Sequence, residues 1–414
     1  MQVVKNSFIY LGSSILNKMI PFLLLPILTK YLSPKEYGIL SIYFIAITLY
    51  SAFIGMAMHT NISKNFFNTS RDELSLYMGN IVIILSINTL LYFIVTLVIS
   101  SFKDSLFSIP LNWIYLIPII SFFLMLNELN TTILRNEGKA YLFGIIEVGN
   151  SAIKMVLTII FLVIFSFGWK SQVLGTFIGA MLFAVVAVIY MNIRGFIKLN
   201  FCKDKIKSIL HLSMPLIPHV LGSMVIAMSD RLFIERMVSI EMVGIYSVGY
   251  MFGMVVMIFT DAFIKAWSPW FYKSLASITK TRKKKIVKYT YIYIVGVFIL
   301  AFIISLISQL ILPYFVDKKF YGASEFILWI AIGYAIQGVY KIFFPYLVHL
   351  NKTSFLAVST TVAALLNLLF NYIFIKEFGA IGAAYATILS FGISALLVFW
   401  YQNKNCDMSW NFRW

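Results

Sequence analysis

Twelve long apolar runs constrain this chain more than any other feature of it. They lie at roughly 8–31, 38–60, 76–101, 112–134, 141–166, 171–193, 208–234, 242–270, 286–312, 323–349, 353–375 and 380–402. Each is long enough to cross a hydrocarbon core, which takes about 20 residues of helix. Lipid offers the backbone no hydrogen-bond partners, so runs of this length fold as helices. The hydrophobic fraction, 61% of 414 residues, exceeds the ~45–50% of soluble domains. The connections are too short to hold a soluble domain. The expectation is an all-α integral membrane protein with twelve transmembrane helices.

The net charge of +17 suggests nucleic acid until it is located. Lys and Arg concentrate in alternate connections: Arg194, Lys198, Lys203, Lys205 and Lys207 in one, and Lys273, Lys280, Arg282, Lys283, Lys284, Lys285 and Lys288 in another. This is the positive-inside pattern, and it puts both termini in the cytoplasm. The 280–288 run reads as a topological anchor beside anionic lipid, not a nucleic-acid site. The first run contains Lys18 and leads straight into a second span, unlike a signal peptide. Cys202 and Cys406 both fall in cytoplasmic segments, where disulfides are rare. The four histidines, His59, His211, His219 and His349, share no metal-ligand spacing. There is no phosphate-binding GxxxxGK[ST] loop and no serine nucleophile elbow. The chain therefore reads as a non-enzyme that does not hydrolyse ATP.

The basic 194–207 connection divides the spans into six and six: an N-lobe over 1–200, and a C-lobe over 201–414 with a short cytoplasmic tail. Faint internal repetition supports the division. Ser33-Pro34-Lys35-Glu36-Tyr37-Gly38-Ile39-Leu40-Ser41 is echoed by Ser239-Ile240-Glu241-Met242-Val243-Gly244-Ile245-Tyr246-Ser247. Phe167-Gly168 and Thr176 are echoed by Phe378-Gly379 and Thr387 at nearly the same offset. Both copies start on the cytoplasmic side, which makes the repeat parallel. In transporters such repeats place a substrate pathway at their interface and give alternating access.

Function should lie in the polar groups within the spans, since a charge at mid-membrane costs about 2.5–3.5 kcal/mol on insertion scales. Glu147, Ser151, Lys154 and Thr158 share one face of span five, and Glu128, Thr131 and Arg135 one face of span four. Tyr334, Gln337 and Lys341 form a third stripe, and Asp261 and Lys265 lie one turn apart. Two readings stand for Glu147 with Lys154, and for Asp261 with Lys265: helix-bracing ion pairs, or ligand groups in a cavity. Lys18 and Lys341 have no acidic residue one turn away, which suits an anionic ligand. Arg135 stands at a helix end, where it can snorkel. His219 shares a helix face with Ser223 and Asp230 and is a candidate cavity residue.

Several motifs resemble a known family. Leu11-Gly12-Ser13 with Pro21-Phe22-Leu23-Leu24-Leu25-Pro26-Ile27-Leu28-Thr29 and Tyr37-Gly38 looks like its N-terminal signature. Met214-Pro215-Leu216-Ile217-Pro218, Ser229-Asp230-Arg231, Val243-Gly244-Ile245-Tyr246-Ser247 and Ala266-Trp267-Ser268-Pro269 look like its central one. Gly379-Ala380-Ile381-Gly382-Ala383-Ala384 with Ala386-Thr387 closes the set. Together they resemble the polysaccharide-transport branch, notably the O-antigen flippases, of the multidrug/oligosaccharidyl-lipid/polysaccharide exporter superfamily. The resemblance implies a V-shaped pair of six-helix lobes in the bacterial inner membrane. It implies transport of an undecaprenyl-pyrophosphate-linked oligosaccharide, with a polysaccharide polymerase and a chain-length regulator as partners and no nucleic acid. Lys18, Arg135, Lys154, Lys265 and Lys341 would hold phosphate or acidic sugar, with Glu128, Glu147, His219, Asp261 and Gln337 also lining the cavity.

Lipid II flippases of the same superfamily bind sodium in the C-lobe. Asn367, Asn371, Asp230, the Ala383 carbonyl and Thr387 resemble those ligands, which implies Na+ or H+ as the coupling ion and no other cofactor. Asn371 stands where that branch has a carboxylate, and span two lacks the arginine expected for lipid II. The rival readings are a cation-coupled drug exporter, which would line its N-lobe with acids, and a membrane polysaccharide polymerase, which would need a large external loop.

Overall fold

A computed structural model of the chain describes residues 2–102, 105–276, 279–350, 352–406, 408 and 410, without the side chains of 2–8, 11, 64, 105, 106, 216, 219, 276 and 353. It is helical almost throughout and divides into two compact units, Met1–Leu221 and Gly222–Trp414.

The first unit begins with α1 (Gln2–Tyr31), α2 (Pro34–Gly55), the short α3 (Met58–Asn65) and α4 (Arg71–Ser100). A two-residue hairpin, β1 (Ser105–Leu106) with β2 (Ile109–Pro110), precedes the single turn α5 (Leu111–Ile114) and α6 (Leu116–Asn136). Then come α7 (Ala140–Ile159), which ends in a π-helical turn over Ile160–Ile164, α8 (Lys170–Ile193) and α9 (Lys203–Ser213). The core joins Ile54, Met58 and Ile62 to Tyr77, Met78 and Ile81 of α4 and to Leu126, Leu129 and Ile133 of α6. Leu90, Leu91 and Ile94 of α4 stay exposed, as a lipid-facing surface requires.

The unit boundary falls at Leu221–Gly222, later than the expected 200/201 division. The cause is α9, which continues past the basic loop but packs on α3 and α4. Asn61 of α3 donates its amide N–H to Ser213 Oγ at 2.7 Å.

The second unit contains α10 (Ile217–Met237), which starts in the boundary, then α11 (Ile240–Gly253), α12 (Val255–Ala276) and α13 (Lys280–Phe315). A 3-10 turn at Lys318–Ala323 leads into α14 (Ser324–His349), α15 (Thr353–Phe378) and α16 (Ile381–Asn405). Small residues set the close approaches, as is common in membranes. A Cβ at Gly249 would lie 2.6 Å from the Ala323 carbonyl, and one at Gly253 would lie 2.7 Å from Ile330. These two glycines, one turn apart, let α11 lie against α14.

Eleven helical stretches among the described residues are long and apolar enough to span a membrane. The expected seventh span is not among them. Its 208–234 run breaks at a 3-10 turn over Met214–Leu216, where Pro215 removes a backbone donor. The remaining helix, α10, carries Asp230, Arg231, Glu235 and Arg236. The fold is nonetheless that of a multi-pass all-α membrane protein, and it is consistent with twelve spans once α10 is included.

The internal echoes have a local physical cause. Ser33 caps α2 in a reciprocal box with Glu36, and Ser239 caps α11 through the Met242 N–H. Gly168 (φ +59°) and Gly379 (φ +68°) both take the positive φ that glycine tolerates, just before α8 and α16. The repeated residues are those that start equivalent helices.

Candidate functional site

The first unit holds a cavity of about 340 Å³ between α1, α6 and α7. Ser14 and Asn17 enter it from α1. Asn127, Glu128, Thr131 and Arg135 enter from α6, and Glu147, Asn150, Ser151 and Lys154 from α7. The two stripes read from the sequence thus meet in one space, all but Thr158, whose hydroxyl donates to the Lys154 carbonyl at 2.7 Å. Three apolar side chains, Leu124, Phe143 and Ile146, complete the wall.

Hydrogen bonds fix the orientation of several lining groups. Asn17 donates its amide N–H to Glu147 Oε1 at 3.1 Å, and its Oδ1 accepts from the Ser151 hydroxyl. Asn127 donates to the Ala180 carbonyl of α8 at 3.0 Å, which turns its Oδ1 the other way. Thr131 Oγ1 donates to the Glu128 carbonyl at 3.1 Å. Glu128 Oε1 lies 3.3 Å from His59 Nδ1 of α3. Arg135 donates to Thr132 Oγ1 at 3.1 Å and lies over the Phe143 ring at 5.9 Å. The Lys154 stem crosses Gly179 of α8, where a Cβ would stand 2.5 Å from its Cγ. Glycine at 179 therefore makes the slot through which a lysine enters the bundle.

The remaining sequence candidates fall elsewhere. Lys18 and Lys265 are exposed on α1 and α12. Lys341 of α14 is not the isolated cation that helical spacing suggests. Its Nζ lies 2.7 Å from Asp261 Oδ1 of α12, a partner across two helices that no within-helix pattern can reveal. Gln337, one turn before Lys341, has its Oε1 buried without a hydrogen-bond partner. The His219 side chain lies outside the described residues.

In the second unit, Asp230, Asn367 and Asn371 are all fully buried. Asn371 donates to Asn367 Oδ1 at 3.0 Å and to Ser229 Oγ at 3.3 Å, and Ser229 donates to the same Asn367 oxygen at 3.0 Å. Thr387 Oγ1 donates to the Ala383 carbonyl at 3.1 Å. Asp230 turns to other partners. Its Oδ2 accepts from Tyr246 Oη at 2.8 Å, and its Oδ1 accepts from the Arg231 backbone N–H at 2.8 Å. The Arg231 guanidinium lies 3.6 Å from Asp230 Oδ1, donates to Ser247 Oγ at 3.1 Å and stacks over Tyr250 at 4.0 Å. Two of the signature segments, Ser229-Asp230-Arg231 and Tyr246-Ser247, thus form one buried network.

That network decides how well the set implied by the resemblance would hold sodium. Its only carboxylate is already balanced by Arg231 and accepts from Tyr246 and a backbone N–H, and Asn367 Oδ1 already accepts from both Asn371 and Ser229. Asn371 Oδ1 alone remains a buried acceptor without a hydrogen bond. As arranged, the five residues do not fit the ion.

Sequence reasoning missed Ser14, Asn127 and Asn150 at the cavity, His59 beside Glu128, Tyr250 in the buried network, and the part that Arg231 and Tyr246 play there. Asn127 and Asn150 could have been found by widening the two stripes by one position, since Asn150 lies one turn from Glu147. The pairing of Arg231 with Tyr250 had no sequence signal.

The family model described as "Polysaccharide biosynthesis protein" matches residues 3–275. This chain belongs to that family. An Lsg locus protein of Haemophilus influenzae is 25% identical over 402 residues, covering 92% of this chain and 96% of its own length. An uncharacterized membrane protein of the same organism is 24% identical, covering 87% and 88%. Among solved structures, an inward-facing multidrug-resistance MATE transporter of the MOP superfamily matches with a TM-score of 0.75 at 14% identity, over 94% of both chains. The lipid II flippase MurJ in an inward closed conformation matches with a TM-score of 0.74 at 16% identity, over 96% of this chain and 87% of its own. At such identities these likenesses speak to the fold. The fold is thus shared with MOP-superfamily transporters, and the family match makes the chain a polysaccharide biosynthesis protein.

Proposed function

We propose that this protein flips an undecaprenyl-pyrophosphate-linked oligosaccharide from the cytoplasmic to the periplasmic leaflet of the bacterial inner membrane. Both termini lie in the cytoplasm in this reading, and transport proceeds by alternating access. The observation that carries it is the N-lobe cavity, in which charged and amide side chains from three apolar helices converge. Burying such groups in lipid is expensive, so they mark a pathway for a polar cargo. Arg135 and Lys154 in the cavity, with Lys18, Lys265 and the Asp261-paired Lys341 outside it, are the cations we assign to the phosphates or to an acidic sugar. Because Arg231 already balances Asp230, we assign the driving force to a proton gradient or the membrane potential, with no step through a bound sodium ion. A polysaccharide polymerase and a chain-length regulator are the partners that such a pathway requires.

The test is genetic and chemical. Deleting the gene should abolish surface polysaccharide and leave lipid-linked repeat units on the cytoplasmic side, and the intact gene should restore export. Unchanged surface polysaccharide in the deletion would refute the proposal. Loss of drug resistance instead would favour the cation-coupled exporter.

A further inference from the structure

We infer that the basic connection between α8 and α9 is a lipid-docked strap. Leu199 and Phe201 sit in the acyl boundary of the cytoplasmic leaflet, and Lys198 and Lys203 bind the headgroup phosphates of anionic phospholipids there. The inference does not depend on the substrate carried.

The segment is fixed to the protein along its length. Phe196 is buried in the core of the first unit, with the Arg71 guanidinium 3.3 Å over its ring. From there the chain runs beside the first turns of α4. The Lys198 N–H donates to the Ser75 carbonyl at 3.0 Å, and Gly79 makes room for the Lys198 carbonyl, which a Cβ would strike. Asn80 holds the strap with both ends of its amide. Its side-chain N–H donates to the Asn200 carbonyl at 3.0 Å, and its Oδ1 accepts from the Cys202 N–H at 2.9 Å.

Asn80 also says where the dock lies. It stands on the same heptad stripe of α4 as Ile87 and Ile94, which are 55% and 49% exposed on the lipid-facing side. An amide left open on that stripe would be costly in lipid, yet Asn80 is fully buried because the strap covers it. Leu76 opens the apolar run of this span, so the strap lies where headgroups give way to acyl chains. Its outer edge is apolar at that depth: Leu199 is 69% exposed and Phe201 67%. Lys198 and Lys203, both exposed, flank them. Apolar side chains set between cations are what an interface rich in anionic lipid takes up.

The neighbouring helix does not compete for this role. α9 is amphipathic, but Ile206, Ile209 and Leu210 of its apolar face pack on the core of the first unit. Its Lys205 pairs with Glu73 at 2.6 Å. Asp204 is the one acid in this stretch, and it is outnumbered by Lys198, Lys203 and Lys207. Membrane contact therefore falls to the strap.

The experiment places an NBD fluorophore at Phe201→Cys in a Cys202→Ser/Cys406→Ser background. The full-length protein is reconstituted in vesicles of equal phosphatidylcholine and phosphatidylglycerol, with a quenching nitroxide on the acyl chains of one lipid or the other. Both lipids should quench, and phosphatidylglycerol about twofold or more better. One lysine beside an anionic surface contributes roughly fivefold. Lys198→Gln/Lys203→Gln should bring the ratio of the two to about one while both still quench. No quenching by either lipid would put the strap in water and overturn the inference. Equal quenching with the lysines in place would overturn the phosphate site. Loss of the phosphatidylglycerol preference when a little undecaprenyl pyrophosphate is added would give the lysines to that lipid and overturn the phospholipid assignment.

Discussion

Arg231→Met is the sharpest perturbation of the buried network in the second unit. It removes the guanidinium 3.6 Å from Asp230, the hydrogen bond to Ser247 at 3.1 Å and the stacking over Tyr250 at 4.0 Å. Asp230 is fully buried, and Tyr246 and one backbone N–H would be left to solvate it. Breaking a buried ion pair from one side costs about 3–5 kcal/mol. For a unit of this size each kcal/mol moves the midpoint by roughly 2–4 °C, so the expected loss is on the order of 6–20 °C. Asp230→Asn should also destabilise, because it leaves Arg231 buried and uncompensated. The double variant Asp230→Asn/Arg231→Met should lose clearly less than the sum of the two, since neither charge remains. Thermal unfolding in nanodiscs, followed by tryptophan fluorescence in sodium and in potassium buffers, measures all four proteins. Strict additivity, or a cost under about 1 kcal/mol for Arg231→Met, would refute the pairing. A sodium-specific stabilisation of the wild type would reopen the ion site.

Three further outcomes follow from local geometry. Gly179→Ala places a Cβ where the Lys154 Cγ now passes, at 2.5 Å; the protein should still insert, while lipid-linked glycan export falls at least tenfold in a complementation assay. Lys341→Asp alone should impair export by setting two carboxylates together, and Asp261→Lys/Lys341→Asp should recover much of it if the 2.7 Å pair braces α12 to α14; failure of the swap, with both variants in the membrane, would point to a direct ligand role for Lys341. Glu137 lies just past α6. Burial alone would raise its carboxyl, but hydrogen bonds from Tyr190, Lys139 and Arg194 outweigh that and hold it below the ordinary value of 4.5. A depressed carboxyl stabilises the fold above its unfolded value and loses that contribution as pH falls through the folded one. Glu137→Gln should therefore lower the unfolding midpoint at neutral pH and become indistinguishable from wild type well below pH ~4.

Much of the architecture was legible because lipid leaves a helix as the simplest fold for each apolar run. The two charged stripes on α6 and α7 were legible for the same reason: helical period placed Glu128 with Thr131 and Glu147 with Lys154 on common faces. What period cannot supply is the neighbour across a helix gap. Asp261 with Lys341 and Arg231 with Tyr250 were invisible for that reason, and so was the glycine slot that receives Lys154. The seventh run misled because apolar content says little about a turn. Pro215 breaks it at Met214–Leu216, and the segment before the break packs as α9 on the first unit. The signature residues Asp230 and Tyr246 were noticed as a pattern, but their role as partners needed coordinates.

The central claim is that this protein moves a lipid-linked oligosaccharide between leaflets, and the most direct measurement is sidedness in proteoliposomes. A fluorescent undecaprenyl-pyrophosphate oligosaccharide is placed in one leaflet, and its arrival in the other is read with a membrane-impermeant lectin or quencher. A proton gradient or a membrane potential is imposed, and sodium is varied separately. The account predicts protein-dependent movement that responds to the imposed gradient and is indifferent to sodium. Movement no faster than in protein-free vesicles, with the protein folded and the native glycan supplied, would contradict it.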